Sequence, residues 1–310
     1  MADINQFPRA GVIHKLWNPQ TIDSSIDVMW MRRNQFAGVL GKYVEVVPIS
    51  QGLTHVISSL GSALPLPEPN EDLEPYPVVQ SAPGFKKTAT VVNYTSSLQV
   101  TETAISTDRT GKLMQTLNGP IKAAMRFDEY MRAAFFANAF TGTAGADSQP
   151  LCSNSHPHEN FDAGTWDNLS TGGLTGPNLH AGILVMDLMK DEQNDPFDVN
   201  PVDLLVHPSN RQKAMELTNA VRKPEGMLND PNEIISALNV VVSKYLSSSD
   251  AFFVMGDLTG EERGLIEVQS KAWSLDNVGD ATVDVPIHKR IKSRKTFIFT
   301  TSKNIVGSAG

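Results

Sequence analysis

The sequence predicts an α+β fold that carries a protruding two-stranded arm, and three observations predict it. Val44–Ser58 and Phe85–Ile105 are rich in Val, Ile, Thr and Tyr, the side chains that suit a pleated surface. Between them lies LPLPEPNEDLEPYPVVQSAPG, where Pro65, Pro67, Pro69, Pro75, Pro77 and Pro83 forbid a continuous ladder or helix. Downstream, Leu113, Leu117, Ile121, Ala124, Met125, Tyr130, Met131, Ala134 and Phe135 recur at three- and four-residue spacing, which is the signature of a long amphipathic helix. A two-stranded arm is marginal in water by itself and exposes its edges to other chains. The pattern therefore predicts neighbouring subunits that cover the arm.

The remaining elements follow in chain order. Residues 1–25 hold Pro8, Pro19 and few periodic apolar positions, and read as an extended arm. Asp23 or Ser24 is placed to cap a short helix from about Ile26 to Leu40, with Ile26, Met29, Trp30 and Arg33 on one face and Gly41 as its stop. The long helix runs from Asp108, its cap, to Phe140, and Gly119-Pro120 predicts a kink or break within it. Thr141–Gly176 is rich in Gly, Ser, Asn and Asp and reads as a long loop.

Helices and short apolar strands then alternate. Asn178–Lys190 and Asn210–Val221 are helical, while VDLLV at 202–206, Leu238–Ser243 and Ala251–Met255 are buried strands, together a small α/β unit. From Val283 strands return, with His288, Lys289, Arg290, Lys292, Arg294, Lys295 and Lys303 set among apolar residues.

Composition narrows the class. At 310 residues one elaborate domain or two are expected, and an apolar content of 40% with 19% charged residues is that of a globular chain. The net charge of −8 argues against a free nucleic-acid binder. Cys152 is the single cysteine, so no intrachain disulfide forms and a reducing compartment suits the chain. The start, MADINQFPRAGVIH, lacks a signal-peptide layout, and no stretch approaches the roughly 20 apolar residues of a membrane helix. These features describe a soluble chain made inside the cell.

Chemical motifs mostly fail their own requirements. STDRTGKL has Gly111-Lys112, but Ser106 stands where a phosphate loop needs glycine and Leu113 where it needs Ser or Thr. Asp191, Gln193, Asp195 and Asp198 resemble a calcium loop, yet Pro196 replaces its turn glycine. Cys152, His156 and His158 lie together in CSNSHPH without the second ligand pair a zinc site brings. No catalytic, cofactor or metal residue is assigned. Two charge features remain: Glu68, Glu71, Asp72 and Glu74 make the arm tip acidic, and the last strands are basic. They are suited to pair between subunits, or to serve solubility; the basic strands are equally suited to packaged nucleic acid through phosphate contacts.

The order of parts resembles the Hong Kong-97-like phage capsid fold: a flexible N-terminal arm, a long β-arm, a spine helix, an α/β unit and closing strands. Local sequence resembles the Mu-like major head subunit family, through YTSSLQVTETAISTDRTGKL, RFDEYMRAAFFANAF and GADSQPLCSNSHPH with its His156-Pro157 pair. NPVDLLVHPSNRQKAMEL and LNVVVSKYLSSSDAFFVMGD add to it, so that the resemblance covers roughly residues 40–260. The end, SKNIVGSAG, departs from that family's usual Arg-Gly ending.

The resemblance implies a non-enzymatic major capsid protein without cofactors, located in the virion and assembled in the host bacterial cytoplasm. It implies an N-terminal arm and short helix over 1–43, an E-loop and return strand over 44–105, a peripheral-domain spine over 106–149, an axial domain over 150–282 and peripheral strands over 283–310. Its partners would be further copies in hexamers and pentamers, portal and scaffolding proteins, a decoration protein, and packaged DNA held without sequence specificity; no membrane is involved. Candidate intersubunit contacts are Glu68, Glu71, Asp72, Glu74, Lys86, Lys87, Lys289, Arg290, Lys292 and Arg294. Some capsids of this fold crosslink Lys to Asn, for which Lys86, Lys87 and Asn304 are available. Two alternatives stand beside this reading: an encapsulin-like compartment shell around enzyme cargo, and a soluble hydrolase built on Cys152 and His156.

Overall fold

The computed structural model describes residues 19–31, 38–50, 52–60, 83–108, 112–142, 144–158, 164–190, 196–220, 238–257, 264–278 and 287–310. They group into two units. The first comprises Met1–Gly38, Val91–Asp128 and Gln269–Lys295; the second comprises Val39–Thr90, Glu129–Val268 and Thr296–Gly310.

In the first unit, helix α1 (Pro19–Met31) brings Ile22, Ile26, Met29 and Trp30 to one side. Pro19 opens this helix, where its missing N–H removes no hydrogen bond. The expected start near Ile26 is therefore corrected: Asp23 and Ser24 lie inside the helix. Residues 32–37 of the expected Ile26–Leu40 helix fall outside the described residues, and Leu40–Tyr43 forms a 3₁₀ turn in the second unit.

Strand β4 (Val92–Val100) ends at Thr101, whose hydroxyl accepts the Ala104 N–H at 3.2 Å and caps helix α2 (Glu102–Thr107). Ile105 thus belongs to a helix, not to the expected strand. Local capping chemistry overrides β-propensity here. Helix α3 (Lys112–Ala137) is 26 residues long, about 39 Å at 1.5 Å per residue. The expected break at Gly119-Pro120 does not occur; the helix runs through Pro120, and Ile121 and Ala124 just beyond it are buried in the core. Asp108 does act as a cap, accepting the Leu113 N–H at 3.0 Å. Leu98, Val100, Ile287 and Ile291 of the strands meet Ile22, Ile26, Ile105 and Ile121 of the helices in one cluster.

The second unit is organised by a five-stranded sheet in the order β7-β13-β10-β8-β9: Leu169–Ser170, Ile305–Ser308, Phe252–Gly256, Pro201–Val206 and Asn239–Val242. β10 is antiparallel to β13 and β8, and β8 is parallel to β9. Alternate residues enter two different cores. Leu205, Phe253, Met255 and Ile305 pack with Ala133 and Phe136 of α3 and with Ala139 just after it. Leu204, Val206, Phe252, Val254 and Val306 pack with Leu179 and Met186 of α4 (Gly176–Asp187) and with Ala214 and Leu217 of α5 (Arg211–Asn219). Burial on both faces is why AFFVMG, and VDLLV apart from Asp203, read as apolar runs.

The remaining strands of this unit include β1 (Glu45–Pro48), β5 (His156–Pro157), β6 (Thr165–Trp166), and the pair β2 (Thr54–Leu60) and β3 (Pro83–Thr90). Two long strands, β11 (Leu265–Asn277) and β12 (Ile287–Phe299), contribute residues to both units. β11 was not anticipated from the sequence.

Candidate assembly surfaces

β2 and β3 pair as an antiparallel ribbon. Thr54 faces Thr90, Val56 faces Thr88, Ser58 faces Lys86 and Leu60 faces Pro83. Among the described residues, β2 and β3 form a two-stranded sheet with no further strand. Apolar Leu53 and Val56 are each 57% exposed, although a side chain of this kind stabilises a fold only once it leaves water. The run expected as one strand over Val44–Ser58 is split into β1 and β2, and Phe85–Ile105 into β3, β4 and α2. Among the contact candidates, Lys86 is exposed on β3, and Lys87 donates to the Ala144 and Gly145 carbonyls at 2.9 and 3.2 Å. Glu68, Glu71, Asp72 and Glu74 lie outside the described residues.

The basic C-terminal strand is sorted by its pleat. Ile287, Lys289, Ile291, Ser293 and Lys295 of β12 are buried, whereas His288, Lys292 and Arg294 are partly exposed and Arg290 is exposed. Lys289 is 1% exposed, and its ammonium lies 2.9 Å from Asp23 Oδ1 and 2.5 Å from Asp27 Oδ1 of α1. This corrects its place among the surface contacts: it fastens the chain's own helix to the chain's own strand. Lys295 is likewise spent on Asp128 at 2.7 Å. Lys303 is buried over the Phe197 ring, 5.3 Å from its centroid. Lys292 pairs with Asp276, and this hydrogen bond is the main cause holding the Asp276 carboxyl below its usual range.

The Cys152 and His156 neighbourhood is a structural knot. Cys152 is 1% exposed, and burial pushes its thiol well above the ordinary range. A Cβ on Gly307 would stand 2.6 Å from its sulfur, so β13 closes directly over it. His156 is wholly buried and stacks on Trp166 at 4.3 Å. Its Nδ1 lies 2.5 Å from Asp147 Oδ2 and its Nε2 lies 3.2 Å from Asn168 Oδ1. Both ring nitrogens are taken, leaving none to activate a thiol, which a Cys–His nucleophile requires. Among the described residues no group of three or more His, Cys, Asp or Glu side chains is arranged to hold a metal ion.

Asn168 is the centre of this knot. Its Oδ1 accepts the Ser153 N–H at 2.8 Å, and its Nδ2 donates to the Leu151 and Ile305 carbonyls, each at 2.9 Å. One amide therefore ties the 151–153 segment to β13. Asn168→Ala orphans three buried backbone groups at about 1–3 kcal/mol each, so urea unfolding is expected to show a loss of about 3 kcal/mol or more. A loss below about 1 kcal/mol would mean that water substitutes for the amide. Sequence reading missed Asn168 because its partners lie up to 137 residues away.

Two further polar groups fix the base of the second unit. Glu129, 8% exposed, accepts the Val39 and Leu40 N–H groups at 2.9 and 3.0 Å and so caps the 3₁₀ turn. The Tyr43 hydroxyl donates to Asp203 at 2.9 Å; burial first, then the Asp203 charge, push its pKa well upward.

The described residues thus show a two-stranded ribbon with exposed apolar side chains, a doubly covered sheet, and polar groups used to fasten rather than to react. A family model described as phage capsid protein matches residues 85–297, and this chain belongs to that family. It is a shell-forming capsid protein, a structural component of the virion. The fold is that of solved capsids. A subunit of the capsid of Cyanophage P-SCSP1u is 12% identical with a TM-score of 0.53, covering 86% of each chain. A chain from Microbacterium phage Oxtober96 is 13% identical with a TM-score of 0.52, covering 87% of this chain and 90% of the other. A virus-like particle from Pyrococcus furiosus shares 10% identity with a TM-score of 0.50, covering 92% of this chain and 98% of that one. No curated protein sequence matches the chain. No helix among the described residues is long and apolar enough to cross a membrane.

Proposed function

We propose that the chain is the major capsid subunit of a tailed phage, and that its β2–β3 ribbon gains its missing cover by lying across a neighbouring copy. The observation that carries this is the ribbon itself, which among the described residues pairs β2 with β3 and no further strand, and which presents Val56 and the preceding Leu53 to water. In this reading residues 44–105 are the clasping arm, 106–149 the spine and 150–282 the axial domain, with 1–43 a lacing arm and 283–310 the closing strands. Copies close by symmetry into hexamers and pentamers; turnover of a substrate has no part in it. Obligate interfaces bury about 2,000–5,000 Å², and most of the gross gain is offset by ordering, so single contacts stay weak enough to correct errors. Portal, scaffolding and decoration proteins are the other partners, and packaged DNA is met through non-specific phosphate contact. The test is electron microscopy and native mass of the expressed chain, followed by nuclease treatment and analysis of the contents of particles from infected cells. Closed shells filled with double-stranded DNA are expected. Shells loaded with a protein would replace this reading with that of a cargo compartment, and a stable monomer would end both.

A further inference from the structure

The pleat of β12 leaves a cationic ladder on the side of the sheet opposite its core. Ile287, Lys289 and Ile291 point to α1 and α3, so His288, Arg290, Lys292 and Arg294 point the other way. Alternate residues repeat at about 6.8 Å along a strand, so the row extends about 20 Å. Its cross-strand neighbours on β4 carry no charge: Gln99 faces His288, Ser97 faces Arg290, Thr95 faces Lys292 and Asn93 faces Arg294. β11 adds Lys271 and Asp276. Asp276 alone serves both Lys292 and Lys271, the latter at 3.8 Å. Arg294 donates only to the Asn93 amide oxygen at 2.7 Å, and Arg290 has no carboxylate partner among the described residues. Among the described residues, Arg290, Lys292, Arg294 and Lys271 thus have a single carboxylate, Asp276, which pairs with Lys292 and Lys271. Desolvation first, then the neighbouring Lys292, depress the Lys271 ammonium, while Asp276 acts in the opposite direction.

The sequence supplies a matching anion. Between β2 and β3, residues 61–82 contain Glu68, Glu71, Asp72 and Glu74 and no Lys or Arg. We infer that the acidic segment joining β2 to β3 in one copy docks on the β12 cationic ladder of a second copy. This rests on the shell reading and deepens it: it assigns the clasp an electrostatic register, made by Arg290, Lys292 and Arg294. Opposite charges aligned in rows set which surfaces meet and in what register more than they set raw affinity, and they weaken as salt rises.

The test is a charge exchange. One variant carries Arg290→Glu and Arg294→Glu; a second carries Glu68→Lys, Glu71→Lys, Asp72→Lys and Glu74→Lys; a third carries all six. Each of the first two is expected to raise the concentration needed for assembly about tenfold or more, while leaving thermal unfolding of the free subunit unchanged. The six-fold variant is expected to assemble again, and a mixture of the first two to form assemblies containing both chains. Should the Glu variant fail to fold, Arg290→Gln with Arg294→Gln and the tip variant carry the same comparison.

Normal shells with normal salt tolerance from either single-surface variant would overturn the inference. So would recovery in the six-fold variant without recovery in the mixture, which would place the pairing within one chain. Intact shells that lose only their DNA would assign the ladder to nucleic acid instead. Failure of the unaltered chain to assemble at all would remove the shell reading, and this inference with it.

Discussion

Replacing residues 61–82 with a two-residue Asn-Gly turn is expected to abolish closed shells while leaving a folded subunit. The register permits this surgery, because Leu60 faces Pro83 and a two-residue turn is the natural closure for strands so aligned. Both strands of the ribbon, and the described residues of the three buried clusters, are left in place. Urea unfolding should therefore fall within about 1 kcal/mol of the unaltered chain. Assembly should behave quite differently. Each subunit in a closed shell contributes the same contact many times, so a deficit that is modest per contact is multiplied over the particle. Sedimentation and electron microscopy are expected to find free subunits or small oligomers at concentrations where the unaltered chain forms shells. Shells of normal size from the shortened chain would show that the arm is ornamental.

A milder change makes the same point from the ribbon's side chains. Leu53 and Val56 are exposed in the subunit, so substituting them cannot cost it a packed core. Any effect of such changes on assembly belongs to the neighbour that covers them.

Much of the second unit was legible in the sequence. The runs at 202–206 and 251–255 are apolar apart from Asp203 because α3 covers one face of the sheet and α4 and α5 the other, and a strand dry on both faces shows little polar alternation. Helix α4 was legible too, through its apolar spacing; the Thr175 hydroxyl at its head accepts the Asn178 N–H at 3.4 Å. β11 was hidden because Glu267, Lys271 and Asp276 interrupt it with charge. Glu267 is 2% exposed and is matched by Arg132 at 2.7 Å, a partner 135 residues away that no local pattern reveals. α1 was displaced because Pro19 reads as a breaker, although at a helix start it costs nothing. The basic C-terminal stretch shows the same limit at the candidate surface. Seven positions read as one patch, but parity with Ile287 and Ile291 turns Lys289 and Lys295 inward, and only the other parity remains for a partner. That signal was in the spacing, had the strand's register been used to sort the charges.

The inward pair of the first unit yields the largest expected stability effect. Lys295 is 1% exposed, and its ammonium meets Asp128 Oδ1 at 2.7 Å beside the Trp273 ring. Asp128 also accepts the Trp273 indole N–H, 2.9 Å from each carboxylate oxygen. Asp128→Asn keeps the shape but removes the charge that the buried ammonium meets at 2.7 Å, and removing one partner of a buried pair costs about 3–5 kcal/mol. The lysine is the source of that cost, so taking its charge away should relieve it. Lys295→Met, which retains an apolar stem of similar length, is expected to be milder than Asp128→Asn, and the double variant to recover most of the loss. A cycle of urea unfolding on the three variants measures the coupling directly. If Asp128→Asn alone costs less than about 1 kcal/mol, the ammonium reaches water along its stem and the pair is no stronger than one at the surface. A large cost with recovery in the double variant would show that β12 is held in its own fold by a charge it cannot expose.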